Sequence, residues 1–221
     1  MMNYSLLDKA CRKFDELKMR DGTKEKAMPF LEQLANYHYP TLEHSDRVAD
    51  YSVQIALVTS TASPRDIWLP AILHDIGKLK IPLELLDKTV GWNEKDREKM
   101  EKHFEYGCRS LIGLFNFSAL TIFYSDYFKR EGGYPTDKDF EIIFGDTYNK
   151  WHEQNKFKTI LCGRWINLAD EYDATKTRKN DKRSPGIIRL PTSSEAKQSL
   201  IENNQDQIIL IDKMYEIGFF N

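Results

Sequence analysis

An apolar run, Ile67-Trp68-Leu69-Pro70-Ala71-Ile72-Leu73, that stops abruptly on His74 and Asp75 constrains this chain more than any other feature. Such a run leaves no polar face, so the segment reads as a buried helix that carries an imidazole and a carboxylate into the interior. Gly77 is placed to end that helix, and Pro82 opens the next segment. A carboxylate beside a core must be paired, protonated or metal-bound, because an isolated buried charge is costly. Metal is the reading that also employs the histidine. The run His74-Asp75-Ile76-Gly77-Lys78 then combines donors for a cation with a lysine for a phosphate. A lone His-Asp pair is more often a helix-end carboxylate beside a satisfied histidine, so the reading needs further donors; His44 is the first candidate.

The remaining chain reads as helices. Residues 3–20 and 24–38 carry Leu6, Leu7, Phe14, Leu17, Phe30, Leu31 and Leu34 at helical spacing, with Asp21-Gly22-Thr23 as break and N-cap. A stripe of Val48, Tyr51, Ile55 and Val58 marks a helix from Leu42 to Thr59 that has His44 near its start, and Ser63-Pro64 begins the helix leading to His74. Asn93 caps a charged helix, Glu94 to Cys108, that carries His103; an aromatic-rich helix runs from Arg109 to Phe128. Residues 131–155 read as irregular, Phe157 to Thr175 as a long buried helix with Asp170 and Asp173, Lys176 to Gly186 as an exposed loop, and Ser193 to Phe220 as one or two closing helices. At 221 residues and 41% hydrophobic, one core suffices: residues 1–38 read as an N-terminal helical extension and 39–221 as the main domain. The extension packs on the bundle or forms a homodimer contact through Leu6, Phe14, Leu17 and Phe30.

Composition excludes several function classes. With 32 basic and 34 acidic residues the formal net charge is −2, which offers no global attraction to nucleic acid or an anionic membrane, so no stable nucleic-acid complex is expected. Cys11, Cys108 and Cys162 are odd in number and lack a CxxC pair, which suits a reducing cytoplasm rather than a disulfide framework. No stretch approaches the roughly 20 apolar residues of a membrane span, and Met1 to Arg12 lacks a signal-peptide layout.

The motifs His44-x-x-Arg47, His74-Asp75-Ile76-Gly77-Lys78, Ile81-Pro82, His103-x-x-x-Gly107, Gly133-Tyr134-Pro135, Ala169-Asp170-x-Tyr172-Asp173-Ala174 and Arg178, in that order, resemble the HD superfamily of metal-dependent phosphohydrolases, and specifically its HD-GYP branch. The resemblance implies an all-α fold, an HD-domain helical bundle with a metal site in its core, and hydrolysis of cyclic di-GMP or a related cyclic dinucleotide. It implies His44, His74, Asp75 and Asp170 as metal ligands and His103 as a ligand of a second ion. Asp75 and Lys78 would carry catalysis, with Lys78, Tyr134 and Arg178 on the substrate. The cofactor is one or two divalent ions, iron or manganese first, with magnesium, nickel or zinc as other candidates. Asp173 reads as capping or orienting its neighbours rather than binding metal. His103 is read equally well as a polar residue on the exposed face of its helix, Tyr134 as a turn residue, and the basic run around Arg178 as a solvated loop.

The chain also departs from that pattern. Where the branch carries a histidine pair and a glutamate before its Gly-Tyr-Pro, this chain reads Tyr124-Ser125-Asp126-Tyr127-Phe128, so two ligands are missing and Asp126 is the nearest substitute. Pro40 replaces the glutamate associated with a third metal, which argues against a trinuclear site. His152, in a longer intervening segment, reads as an ordinary histidine. Two functions from different classes follow: a phosphodiesterase or phosphohydrolase on a cyclic dinucleotide or other nucleotide, and a degenerate module that binds a nucleotide or protein without turnover. A di-iron oxygenase, the third class, would need the complete histidine set that Ser125 and Asp126 interrupt.

Overall fold

Proline and short polar side chains set where the helices begin. Pro40 lies in the first turn of α3 (Tyr39–Thr59). The Ser63 hydroxyl accepts from the Asp66 amide at 3.2 Å and Pro64 follows it, so α4 (Pro64–Leu73) starts with its first-turn donors satisfied. Asn93 and Thr136 form reciprocal capping boxes with Asp96 and Asp139, starting α6 (Glu94–Leu111) and α8 (Asp137–Phe144). The structure, a computed structural model, describes residues 4–127, 135–145, 149–178 and 189–221. Among these every regular element is helical, as expected for an all-α protein. The others are α1 (Tyr4–Glu16), α2 (Thr23–Tyr37), a 3-10 turn (Ile76–Lys80), α5 (Leu83–Leu86), α7 (Asn116–Tyr127), α9 (Asn149–Thr177), α10 (Ser193–Asn203) and α11 (Ile208–Glu216).

Four of these, α3, α4, α7 and α9, pack against one another and make the centre of the bundle. Every residue of α4 from Ile67 to Leu73 is buried, as its unbroken apolar run requires. On α9, Cys162, Ile166, Leu168 and Ala169 are fully enclosed. Gly163 lets α9 cross α7 in near backbone contact: a Cβ there would lie 2.7 Å from the Tyr124 Cβ and 2.9 Å from the Ser125 nitrogen. The N-terminal helices join the same core through Ala10, Phe14, Ala27, Leu31 and Leu34, and Phe14 meets Trp68 edge-on with ring centroids 4.9 Å apart. Phe14 is thus used within the chain, and Leu6, Leu17 and Phe30 pack half-buried against that core.

Four local expectations are corrected. The stretch 131–155 is not irregular throughout: it contains α8, whose Phe140, Ile143 and Phe144 sit at helical spacing on the core, and the start of α9 at Asn149. Phe157, read as the start of the buried helix, lies inside α9 on its solvent side and is 80% exposed. Gly22 itself, at φ 74°, rather than a side chain, makes the entry to α2. A turn over Ile112 to Phe115, with Gly113 at φ 84°, separates α6 from α7, which therefore begins at Asn116 and not Arg109.

Candidate metal centre

His74 terminates α4 and Asp75 follows it, so the apolar helix delivers both to the interior, 5% and 2% exposed. Gly77 does not end α4, which stops at Leu73; it lies in the 3-10 turn against the backbone of α6. A Cβ at Gly77 would fall 1.7 Å from the His103 carbonyl oxygen and 2.5 Å from the Gly107 nitrogen. This close approach brings His103 over Asp75, with Nε2 3.4 Å from Oδ1, and leaves the His103 side chain 12% exposed. Its exposed-face reading is therefore replaced by a place in the cluster. α3 contributes His44, whose Nε2 is 2.9 Å from Asp170 Oδ1 on α9 and 3.6 Å from Asp75 Oδ2. The His74 Nε2 lies 3.5 Å from Asp75 Oδ2.

The outer nitrogens of the three rings decide what the inner ones can do. The His74 Nδ1 donates to the Ala71 carbonyl at 2.7 Å, and the His103 Nδ1 donates to the Met100 carbonyl at 2.5 Å. The His44 Nδ1 donates to Asp173 Oδ2 at 2.6 Å. Burial favours the unprotonated carboxyl less, but His44 and Arg47 outweigh that and hold Asp173 below the ordinary carboxylate range. With Nδ1 carrying the proton, a neutral ring at any of the three positions presents its Nε2 lone pair to Asp75 or Asp170. Lone pairs facing carboxylates repel unless a cation lies between them. For His74 a proton is disfavoured, since burial lowers its pKa, and its Nε2 is enclosed without a hydrogen-bond partner. His44, His74 and Asp170 offer atoms all within 4.8 Å of one another. The donor set fits a divalent cation of borderline character, held by imidazole and carboxylate with its histidines oriented from outside.

Two side-chain cations face the same atoms. Lys78 Nζ donates to Asp75 Oδ2 at 2.5 Å; burial would push the Asp75 carboxyl up, but the Lys78 ammonium beside it holds it well below the usual range. Arg178 Nη2 lies 3.3 Å from His44 Nε2 and 3.4 Å from Asp170 Oδ1. Arg47, quoted in the motif without a role, donates from Nε and Nη2 to the two Asp173 oxygens at 2.6 and 3.0 Å. Its signal was its position three residues after His44, on the same helix face. Above the cluster lies a cleft of about 300 Å³, lined among others by Arg47, Lys78, Trp92, Met100 and Arg178.

Other candidates lie elsewhere. Tyr134 falls outside the described residues. Asp126 is buried on α7 near the Cys108 thiol, whose pKa is raised first by burial and then by this carboxylate; Asp126 is not among the residues lining the cleft. His152 packs against Phe140, with ring centroids 4.4 Å apart, and its Nε2 lies 2.5 Å from the Tyr124 hydroxyl. It behaves as the ordinary packed histidine expected.

A helical bundle with histidines and aspartates from four helical segments converging in its core is the architecture of a metal-binding HD protein. The HD domain family model matches residues 41–175, and the chain belongs to that family. Over 143 residues it is 35% identical to the 3'3'-cGAMP-specific phosphodiesterase 3 of Vibrio cholerae, an alignment covering 63% of this chain and 28% of that protein. The matched stretch is therefore little more than a quarter of that relative's length. No solved structure matches the chain. No described helix is long and apolar enough to cross a membrane.

Proposed function

We propose that this chain is a metal-dependent phosphodiesterase of HD-GYP type that hydrolyses a cyclic dinucleotide. The observation that carries the reading is the convergence of His44, His74, Asp75, His103 and Asp170 under a cleft that also presents Lys78 and Arg178. His44, His74, Asp75 and Asp170 would hold one divalent ion, and His103 with Asp75 would contribute to a second. Such an ion, when bound, acidifies a coordinated water and polarises a phosphoryl oxygen. The protein's own groups do the rest. Lys78 and Arg178 place positive charge where the phosphate oxygens gain negative charge in the transition state. Asp173 holds the His44 proton on Nδ1, so that Nε2 stays a donor of electrons. The cyclic dinucleotide substrate is supported by the named activity of the Vibrio cholerae relative, and cyclic di-GMP and 3'3'-cGAMP are both candidates.

Metal content measured by mass spectrometry on anaerobically purified protein, beside Asp75→Asn, is the first test. One or two ions per wild-type chain, lost in the variant, are expected. Hydrolysis of cyclic di-GMP and of 3'3'-cGAMP by the loaded protein comes next. The replacement of the histidine pair by Ser125 and Asp126 favours a second reading, a binding module without turnover. Metal-loaded protein that binds a cyclic dinucleotide and leaves it intact would establish that reading instead.

A further inference from the structure

The cleft over the cluster has a wall of a different character from its floor. Leu86, Trp92 and Met100 line it together with the cations Lys78 and Arg178. That wall does not belong to the main core: Ile81, Leu85 and Met100 form a second, small apolar cluster, with Leu86, Trp92 and Tyr106 packed against it. Polar ties hold the segment from Ile81 to Trp92 in place. The Tyr37 hydroxyl donates to the Ile81 carbonyl at 2.7 Å, and His38 Nε2 lies 3.2 Å from Asp87 Oδ1, joining the segment to the α2–α3 junction. Lys88 Nζ donates to Asp96 Oδ2 on α6 at 2.7 Å. The Trp92 indole N–H donates to the Lys88 carbonyl at 2.9 Å. With its N–H so engaged, the half-buried indole offers the cleft apolar aromatic surface, already ordered before any ligand arrives.

A ligand that uses both halves of this cleft is an anion joined to a flat, weakly polar ring. Phosphate toward Lys78 and Arg178 and a nucleobase against the indole meet that description. Base stacking on an aromatic side chain contributes roughly 1–3 kcal/mol and tolerates any base, because every base has a π face. We propose that Trp92 is the base-stacking residue of the cleft, so that the nucleobase is recognised by the Lys88–Trp92 loop while the helices that carry the histidines handle the phosphate. The inference rests on the nucleotide reading of the site given above.

The test compares the dissociation constants of GMP and of ribose 5-phosphate, which lacks the base, by titration calorimetry in manganese-containing buffer. It uses the wild type, Trp92→Leu, which keeps apolar bulk in the satellite cluster, and Trp92→Phe, which keeps an aromatic face. The wild type is expected to bind GMP about tenfold more tightly than ribose 5-phosphate, within the range of roughly 5- to 150-fold that stacking supplies. The ratio should fall to within about threefold of unity in Trp92→Leu and be largely retained in Trp92→Phe. A wild type with no preference for GMP overturns the proposal, and so does a ratio that survives in Trp92→Leu even if both ligands weaken. Failure of the phosphodiesterase reading is separately visible: the ratio behaves as described while no cyclic dinucleotide is hydrolysed.

Discussion

An imidazole can give its electron pair to a metal only if its other nitrogen keeps the proton, and for His44 that choice is made by Asp173. Removing the carboxylate in Asp173→Ala frees the ring to adopt the other tautomer and leaves Arg47 without its two acceptors. Outer partners of this kind are worth about 10- to 100-fold in metal affinity, so a loss of that size is expected in a chelator-competition titration. Thiol chemistry offers an independent check at the same scale. Burial pushes the Cys162 thiol up to about 12 and holds Cys108 well above its ordinary range, whereas Cys11 is only half-buried. Only thiolates react readily. An aromatic disulfide reagent at pH 8 should therefore label Cys11 in the native protein and reach all three cysteines only in denaturant. Rapid labelling of Cys108 or Cys162 in the native state would contradict their enclosure.

Elements meet where glycine permits, and the two glycines at the contact between the 3-10 turn and α6 are not equivalent. Gly77 has backbone where a Cβ would go, with the His103 carbonyl oxygen at 1.7 Å. Gly107 would place its Cβ 3.5 Å from the Gly77 nitrogen, an ordinary contact. Gly77→Ala should thus separate the turn from α6, costing about 3 kcal/mol or more and pulling His103 from Asp75. Gly107→Ala, in a helix where alanine is intrinsically favoured, should stay within about 1 kcal/mol of wild type. Denaturant unfolding of both variants distinguishes them, and equal effects would disprove the close approach. At the other end of the same path, Ser63→Ala removes the side-chain cap of α4 and should cost about 1 kcal/mol. The helix starts at Ser63 and Asn93 are legible in the sequence, since each is a short polar residue ahead of a helical pattern. The Gly77 contact is not, because nothing local distinguishes a glycine that ends a helix from one that lets two backbones touch.

For the whole molecule the cluster is a liability without a cation, and pH should reveal it. Burial lowers the His74 pKa below its ordinary 6.5, so the unfolded chain binds a proton that the folded chain resists. Stability from this group is present above pH 6.5 and is lost as pH falls through the folded value. Asp75 and Asp173 have the same sign but act only below their ordinary 3.8, where their paired carboxylates must take up protons. The melting temperature of chelator-treated protein is therefore expected to fall in two stages as pH drops from 7, first below about 6.5 and then more steeply below about 4. A flat profile down to pH 4 would mean that His74 is not held neutral. Restoring a metal at 100 times its dissociation constant should add about 2.7 kcal/mol. By itself the sequence determined the all-helical class, the burial of α4 and the order of the site motifs, because apolar spacing, caps and an unbroken apolar run are local signals. It left open whether His103 faces solvent, what Arg47 does, and that Trp92 lines the cleft. Those were decided by tertiary structure alone, since a side chain's partner across the bundle depends on how closely two backbones approach, a distance no local pattern encodes.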